Sequence, residues 1–425
     1  MFASPKDMLN HLLQGKCSSK GEMLMKKILF ISEHGDPLAP LGSRQAGGQN
    51  NYVKQLALEL DSLGYAVDIA THWCNTSAPQ IEKIGQHSYV HRFDAGVHGY
   101  VDKNDMRSLM GAFYKDIVEA LPISSYAIIH THYWMSGLVG CELKKNYGIP
   151  FIHTNHSLAL AKKEGSGELD RFRLACERQV LIEADTVLAT TKQEKELIER
   201  CAPKSRVEVI PIGVAPIYLT KSIDVSHVNT NYYFYAGRLV KTKGIFELIA
   251  AFKEVITKPD VPKDVLLIVA GGTKASINPK TQLPRNRKIL KALQGIEDRV
   301  LFIGPQNAKQ LKVLYANAIA TIMPSYYESF GMVAAEAQAT GCPVIATNVG
   351  GLQEVVVDNR TGIHVPKASP KALASAMREL LVKKTTRLMM KKQAKKRAMT
   401  TFNWKEIVTD ITALYKRSLT YVSKS

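Results

Sequence analysis

Short apolar segments of strand length alternate with longer amphipathic segments along most of this chain, beginning just after Met25. The first unit consists of a predicted strand at 28–32, a helix at 50–63 and a second strand at 66–70. The same alternation restarts near residue 232. Parallel strands need a crossover that is usually helical, so this order indicates α/β layers built on parallel sheets.

The chain has 425 residues, which exceeds what one ordinary hydrophobic core supports, so we expect two domains. Residues 212–231 lack periodicity and contain Gly213 and Pro216, which indicates a linker. We therefore predict four regions: a polar N-terminal extension at 1–24, a Rossmann-like domain at 25–215, a second one at 216–402, and a helix at 403–425 that crosses back to the first domain.

Composition excludes several classes of protein. Hydrophobic residues make up 45% and charged residues 22%, as in soluble globular proteins. The longest apolar runs are far shorter than the roughly 20 residues of a membrane helix, and no secretory signal pattern opens the chain. The six cysteines form no C-x-x-C pair, which favours reduced thiols. We expect a cytoplasmic protein, with peripheral contact to the inner face of the membrane as an option.

The formal net charge of +18 is concentrated partly in 383–397, where lysines and arginines alternate with apolar residues at helical spacing. Three interpretations remain open: a solvated helix face, a surface for anionic lipid or phosphorylated substrates, and a nucleic-acid surface. We do not expect nucleic acid as a partner, because the chain carries no known reader motif.

Two loops that follow strands carry groups suited to phosphate. The first, at 40–49, contains Gly47 and Gly48 and leads into a helix, whose positive end can approach an anion. The second contains Arg238 and Lys243, which can converge on a diphosphate. A plain turn and two solvated cations are the alternatives. The chain lacks a D-x-D pair, so protein cations would have to carry the diphosphate charge, and we expect no metal and no other cofactor.

His156 follows a predicted strand, and a lone histidine of this kind is either structural or catalytic. His130, His132 and His153 lie nearby in sequence, but they lack the i, i+4 spacing of a helical metal site. The sequence therefore gives little support to a zinc centre.

Two acids, Glu328 and Glu336, flank a short passage of apolar and glycine residues. We predict that Ser329 caps a helix running to residue 340, with Glu336 about two turns inside it. That geometry separates the carboxylates by roughly 10 Å, whereas retaining glycosidases need about 5 Å. The spacing instead fits the two ends of a nucleotide-sugar, with the amides of 330–333 facing its diphosphate.

This passage, continued by Gly350-Gly351 and Thr361-Gly362, resembles the E-x7-E signature of retaining GT-B glycosyltransferases (glycosyl transferases group 1). Further blocks agree in order and spacing, among them 34–38, 47–53, 130–137 and Gly237-Arg238-Leu239. The branch that the chain resembles includes sucrose-phosphate synthases and inositol-phosphate glycosyltransferases. The resemblance implies a GT-B fold, in which two Rossmann-like domains face a central cleft.

Carried over position by position, the resemblance implies that Arg238 and Lys243 neutralise the diphosphate, that Glu328 bonds the sugar and that Glu336 bonds the ribose. The expected catalytic residues are His156, Arg238, Lys243 and Glu328. The expected donor-binding residues are Gly47, Gly48, Arg238, Lys243, Ile303, Glu328, Phe330, Gly331, Met332, Val333 and Glu336. Gln49, Lys103 and Arg173 are expected to bind the acceptor.

The sequence also departs from the family pattern on the acceptor side. Phe172 stands where sucrose-phosphate synthases carry a second arginine, Ala159 replaces a usual glycine, and residues 44–46 lack the usual acid. These changes count against a hexose phosphate as acceptor.

The resemblance implies a retaining, metal-independent hexosyltransferase that uses a UDP-, GDP- or ADP-sugar. The acceptor remains open between a phosphorylated sugar or inositol, a lipid-linked intermediate and an envelope glycan. Two other classes remain as alternatives: a non-catalytic GT-B scaffold on nucleic acid or anionic membrane, and a phosphorylase or sugar-nucleotide epimerase.

Overall fold

The structure is a computed structural model that describes residues 26–39, 47–103, 105–220 and 231–422. The predicted N-terminal extension, most of the glycine-rich loop at 40–49 and half of the predicted linker lie outside these residues.

The first sheet has eight strands in the order β3-β4-β2-β1-β5-β6-β7-β8, and every pair is parallel except β3 with β4. Its strands are β1 (Lys27–Ile31), β2 (Ala66–His72), β3 (Ile81–Lys83), β4 (Tyr89–Phe93), β5 (Ile128–His132), β6 (Phe151–Thr154), β7 (Thr186–Ala189) and β8 (Val207–Val209). Its helices are α1 (Gly48–Ser62), α2 (Met110–Ala120), α3 (Trp134–Tyr147), α4 (Ala159–Ser166), α5 (Arg171–Glu183) and α6 (Lys192–Cys201). The short helix α7 (Pro216–Leu219) comes next in the chain and packs against helices of the second half.

The second sheet has six parallel strands in the order β11-β10-β9-β12-β13-β14. They are β9 (Tyr232–Ala236), β10 (Leu266–Ala270), β11 (Val300–Gly304), β12 (Thr321–Met323), β13 (Val344–Thr347) and β14 (Gly362–Val365). The helices that follow are α8 (Ile245–Ile256), α9 (Arg287–Leu293), α10 (Ala308–Asn317), α11 (Met332–Thr340), α12 (Leu352–Val355), α13 (Pro370–Val382), α14 (Lys384–Thr401) and α15 (Trp404–Val422). The prediction of a two-sheet parallel α/β fold is confirmed.

One predicted helix start is wrong. Helix α11 begins at Met332, not at Ser329, and its N-cap is Gly331, whose φ of 102° lies in the left-handed region. Ser329 does not cap it, because the glycine turn intervenes and no side chain bonds the first amides. Glu336 consequently lies about one turn inside the helix instead of two.

The C-terminal helix α15 packs against α1 of the first half. Trp404 at its start is buried, and its ring centroid lies 5.5 Å from that of Tyr52. Farther along α15, the Tyr415 hydroxyl lies 2.7 Å from Nδ1 of His130 on β5. In the predicted linker, the Val214 amide donates to the Phe402 carbonyl. One hydrophobic cluster thus joins core residues of both sheets and of α15.

Several elements had no clear sequence signal. The edge strands β3 and β4, strands β7 and β14, and helices α2, α3, α4 and α13 were not predicted. Helix α3 shows why: it is buried on several faces, so it lacks the one-sided apolar pattern that marks a surface helix. Among the described residues, no helix is long and apolar enough to cross a membrane.

Candidate active site

A cleft opens between the two sheets at the carboxyl ends of their central strands, which is where parallel α/β folds place ligands. A cavity of about 640 Å³ lies there. It is lined by segments that follow β1, β4, β5, β6, β7 and β8 of the first sheet and β9 and β12 of the second. Of the predicted site residues, the following line it: Gly47, Gly48, Gln49, Lys103, His156, Arg238, Lys243, Glu328, Phe330, Gly331, Met332 and Val333.

A second cavity of about 890 Å³ continues from the first and shares Lys103, Arg238 and Lys243 with it. Of the three residues predicted to bind the acceptor, Arg173 lines only the second cavity, Lys103 lines both, and Gln49 lines the first cavity together with the predicted donor residues.

On the second sheet, Lys243 and Glu328 form an ion pair with Nζ 2.5 Å from Oε1. Ser325 donates a hydrogen bond to the same carboxylate oxygen. Arg238 lies at the end of β9, is exposed, and lines both cavities. Arg238 and Lys243 both line the cleft, so this corner stays net positive even with the Glu328 carboxylate included.

Backbone contacts hold the Glu328 loop in place. A Cβ on Gly350, whose φ is 51°, would lie 2.0 Å from the carbonyl oxygen of Glu328, and the Gly351 amide donates to that same oxygen. On the other side, the Tyr326 amide donates to the Thr242 carbonyl, which joins this loop to the Lys243 loop. The Gly350-Gly351 pair, noted in sequence only as part of a motif, thus fixes the position of Glu328.

Glu336 and Ile303 lie outside the lining of both cavities. Glu336 accepts a hydrogen bond from the buried Tyr315 hydroxyl. Burial raises the pKa of Glu336 to about 7, although the bond from Tyr315 acts in the opposite direction. The Ile303 carbonyl accepts a hydrogen bond from the Gln306 side chain. The roles predicted for Glu336 and Ile303 stay predictions.

His156 has a φ of 58°, which is unusual for a residue with a side chain and places its ring at the cleft. Its Nε2 lies 3.1 Å from Nδ1 of His132. Burial lowers the pKa of both imidazoles well below the ordinary value, so both are neutral at pH 7. His156 can therefore exchange hydrogen bonds with a hydroxyl, but it carries no positive charge.

His130 and His153 have other partners. Nε2 of His130 lies 2.8 Å from the Thr154 hydroxyl, and Nδ1 of His153 lies 2.8 Å from the Thr131 hydroxyl. Over the described residues, no group of three or more His, Cys, Asp or Glu side chains is arranged to hold a metal ion.

On the first sheet, the Nζ atom of Lys103 lies 3.8 Å from the ring centroid of Tyr133. Arg173 contacts the same ring at 5.0 Å, and its Nε donates to Glu177 at 2.6 Å. Desolvation lowers the pKa of Lys103, and Glu33 partly offsets this. Since Lys103 is itself exposed in the cleft, it stays available to a ligand.

Sequence reasoning missed a buried acid behind this wall. Glu33 lies at the end of β1, where its carboxylate contacts Nδ1 of His34 at 2.5 Å and accepts a hydrogen bond from Ser136. Burial acts against ionisation, but His34 and Ser136 hold the pKa of Glu33 below its ordinary value. His34 lines the first cavity, so Glu33 orients a ring that faces the cleft. The position directly after a strand was the available signal.

Comparison with known proteins agrees with this geometry. The family model described as "Glycosyl transferases group 1" matches residues 221–397, and the "Glycosyl transferase 4-like domain" model matches residues 47–213. A protein of Mycobacteroides abscessus named D-inositol 3-phosphate glycosyltransferase is 34% identical over 84% of this chain and 82% of its own length. The chain belongs to the group 1 glycosyl transferases.

Other relatives of this glycosyl transferase support the same family assignment. The D-inositol 3-phosphate glycosyltransferase of Salinispora tropica is 33% identical over 92% of this chain and 85% of its own length. Among solved structures, a sucrose-phosphate synthase from Thermosynechococcus elongatus aligns with a TM-score of 0.83 and 32% identity over 92% of this chain and 98% of that chain. The Anabaena protein Alr3699/HepE, solved with UDP and glucose, aligns at 0.69 with 18% identity over 92% of this chain and 100% of that chain, which supports the GT-B fold.

Proposed function

We propose that this glycosyl transferase moves a hexose from a nucleotide-sugar to a hydroxyl of a phosphorylated polyol or sugar, with retention of anomeric configuration and without a metal ion. The observation that carries the proposal is the arrangement of cations in one cleft. Arg238 and Lys243 lie in the loop after β9 of the second sheet and Lys103 in the loop after β4 of the first, and all three line both connected cavities.

The donor would lie along the second sheet. Arg238 and Lys243 would stabilise charge that develops on the leaving diphosphate, the kind of electrostatic contribution that is often the largest in catalysis. The pair between Lys243 and Glu328 would open so that Glu328 accepts hydrogen bonds from sugar hydroxyls. The amides before α11 lie at the positive end of a helix dipole, beside the same cavity.

Protein cations at this corner support a metal-independent reaction, because they supply the charge that a divalent ion would otherwise provide. The proton of the acceptor hydroxyl would pass to the departing diphosphate on the same face of the sugar. Neutral His156 would bond a donor hydroxyl, and no side chain is assigned as a covalent nucleophile.

The acceptor would occupy the second cavity. Lys103 faces it, and Arg173 lines it while its Nε atom is engaged by Glu177. The relatives named D-inositol 3-phosphate glycosyltransferase favour an inositol phosphate over a hexose phosphate. The exposed ring of Phe172, at the position of an arginine in sucrose-phosphate synthases, supports the same preference. A cytoplasmic site of action stays our expectation from the cysteine pattern.

A transfer assay tests this proposal. Purified protein is incubated with UDP-, GDP- or ADP-glucose and either inositol phosphate or fructose phosphate, with EDTA present, and the anomeric configuration of the product is read by NMR. We expect an α-linked product from an α-linked donor. Glu328→Ala should abolish transfer without lowering the melting temperature, whereas the exposed Glu297→Ala should be fully active. An inverted product, or full activity in Glu328→Ala, would contradict the assignment.

A further inference from the structure

Helix α14 carries the largest net positive charge of the described helices. Its 18 residues include seven lysines and arginines and no acid: Lys384, Arg387, Lys391, Lys392, Lys395, Lys396 and Arg397. In other helices some exposed lysines pair with glutamates one turn away, as Lys115 does with Glu119 and Lys195 with Glu199. In α14 the neighbours one turn apart are themselves cations, which destabilises a helix.

Three of these cations serve the fold. Arg387 donates to the carbonyls of Leu380 and Leu381, Lys391 donates to the Ala316 carbonyl, and Arg397 donates to the Glu354 carbonyl. The other four, Lys384, Lys392, Lys395 and Lys396, make no side-chain hydrogen bond or ion pair within the described part of the chain. Packing of the helix does not account for their charge.

The same face exposes large apolar side chains. Leu388, Met389 and Met399 are 54%, 60% and 52% exposed, whereas Met390, Ala394 and Ala398 on the opposite face are buried. At 100° per residue, Leu388 and Met399 fall on the arc that also carries Lys392 and Lys396. The outer face of α14 therefore interleaves free lysines with exposed apolar groups.

We propose that this outer face docks the enzyme on an anionic phospholipid bilayer. Lysine ammonium groups would contact lipid phosphates, while Leu388, Met389 and Met399 would enter the interface between headgroups and acyl chains. Flexible lysine stems allow both contacts at once, because the ammonium can extend past an apolar neighbour. An anionic surface also removes the repulsion between adjacent lysines that the isolated helix carries. This inference is independent of the acceptor assigned above.

The test is vesicle co-sedimentation of the full chain. Wild-type protein should bind vesicles of equal parts phosphatidylglycerol and phosphatidylcholine and should leave pure phosphatidylcholine vesicles unbound. The triple variant Lys384→Gln, Lys392→Gln, Lys396→Gln should bind about a hundredfold more weakly, at about 1 kcal/mol per lysine. Leu388→Ser with Met389→Ser should weaken binding even at high salt, where charge is screened.

A matched control distinguishes an effect of this face from an effect of net charge alone. The triple variant Lys263→Gln, Lys280→Gln, Lys288→Gln removes three exposed lysines of the same half and the same total charge. It should bind mixed vesicles as the wild type does. All variants should keep the wild-type melting temperature, since each site is exposed, and the α14 variant should keep its transfer rate with a water-soluble acceptor. Equal loss in both triples, no wild-type binding, or stronger binding to RNA than to mixed vesicles would overturn the proposal.

Discussion

On the second-sheet side of the cleft, backbone contacts position the groups that would meet the donor. A Cβ on Gly350 would lie 2.0 Å from the Glu328 carbonyl oxygen, and one on Gly244 would lie 2.0 Å from that of Pro324. On the first-sheet side, side chains position one another. For example, the ammonium group of Lys103 lies over the ring of Tyr133.

Under the proposed function, this difference predicts that substitutions can change the acceptor while the donor stays the same. Changing a backbone contact displaces a whole loop, whereas changing a side-chain contact alters one part of the wall. Phe172, whose ring stacks edge-on against Trp134 and lies under the guanidinium of Arg107, belongs to this second kind of contact. We therefore expect acceptor specificity to reside in the side chains of the first-sheet wall.

The largest effect should come from Lys243→Met. Loss of this cation removes stabilisation of the leaving diphosphate, so kcat should fall by about 10²–10³. Steady-state kinetics measures the change. Lys241→Met, in the same short turn and exposed, is the matched control and should keep its kcat. A similar loss in both variants would show that the loop, and not the Lys243 charge, matters.

Gly350→Ala tests whether backbone contacts position Glu328. The added methyl meets the Glu328 carbonyl, so the loop must move, and we expect about a hundredfold loss of kcat/KM with roughly 1–3 kcal/mol of lost stability. Gly295, the matched control site, also has a positive φ, of 84°, but a Cβ there would meet no atom within 4 Å. Gly295→Ala should lose about 1 kcal/mol of stability and no activity. Thermal melts and kinetics on the pair separate strain from positioning; unchanged activity in Gly350→Ala would refute the idea.

Lys103→Met tests the first-sheet wall. It removes a charged hydrogen bond to the acceptor, so the KM for a phosphorylated acceptor should rise about 10- to 100-fold, with an unchanged dissociation constant for the nucleotide. The exposed Lys115→Met on the same half is the control. Calorimetry with nucleotide diphosphate measures the second quantity, and weaker nucleotide binding would place Lys103 on the donor side.

The smallest effect concerns pH. Desolvation raises the pKa of the half-buried Glu336 to about 7, so its carboxylate forms only as pH rises through 7. If ribose hydroxyls donate to this carboxylate, nucleotide affinity should rise between pH 6 and 8 by no more than about tenfold per unit. Titration of the nucleotide phosphates also makes the affinity depend on pH. Glu336→Gln should remove the rest of this pH dependence and leave only the part that the phosphates cause. If the affinity of Glu336→Gln changes with pH as much as that of the wild type, Glu336 does not bind the donor.

The same raised pKa has a consequence for stability. Glu336 is ionised in the unfolded chain above its ordinary pKa but is held neutral in the fold, so its contribution to stability is complete below that value. The contribution is lost as pH rises towards 7. The difference in melting temperature between wild type and Glu336→Gln should therefore change between pH 5 and 7, because the wild type becomes less stable relative to the variant as pH rises.

Much of the architecture followed from local signals. Local signals predicted the strand at 28–32, the helix after it and the second series of strands and helices from about residue 232. They did so because a period of two or 3.6 residues depends only on which face is buried. The start of α11 could not be predicted, because Ser329 looks like a cap in the sequence, whereas in the structure Gly331 takes the left-handed conformation and forms the N-cap.

Family and reaction class were set by the sequence itself, since glycines, acids and cations at fixed spacing after strands can be identified without coordinates. The tertiary structure decided which of these groups share a cleft and which partner each has: Lys243 on Glu328, Ser136 on Glu33, and Tyr315 on Glu336. It also divided the cations of α14 into those that bond carbonyls and those that face solvent. These facts depend on contacts between residues distant in sequence, because burial and pairing arise only when the chain is packed.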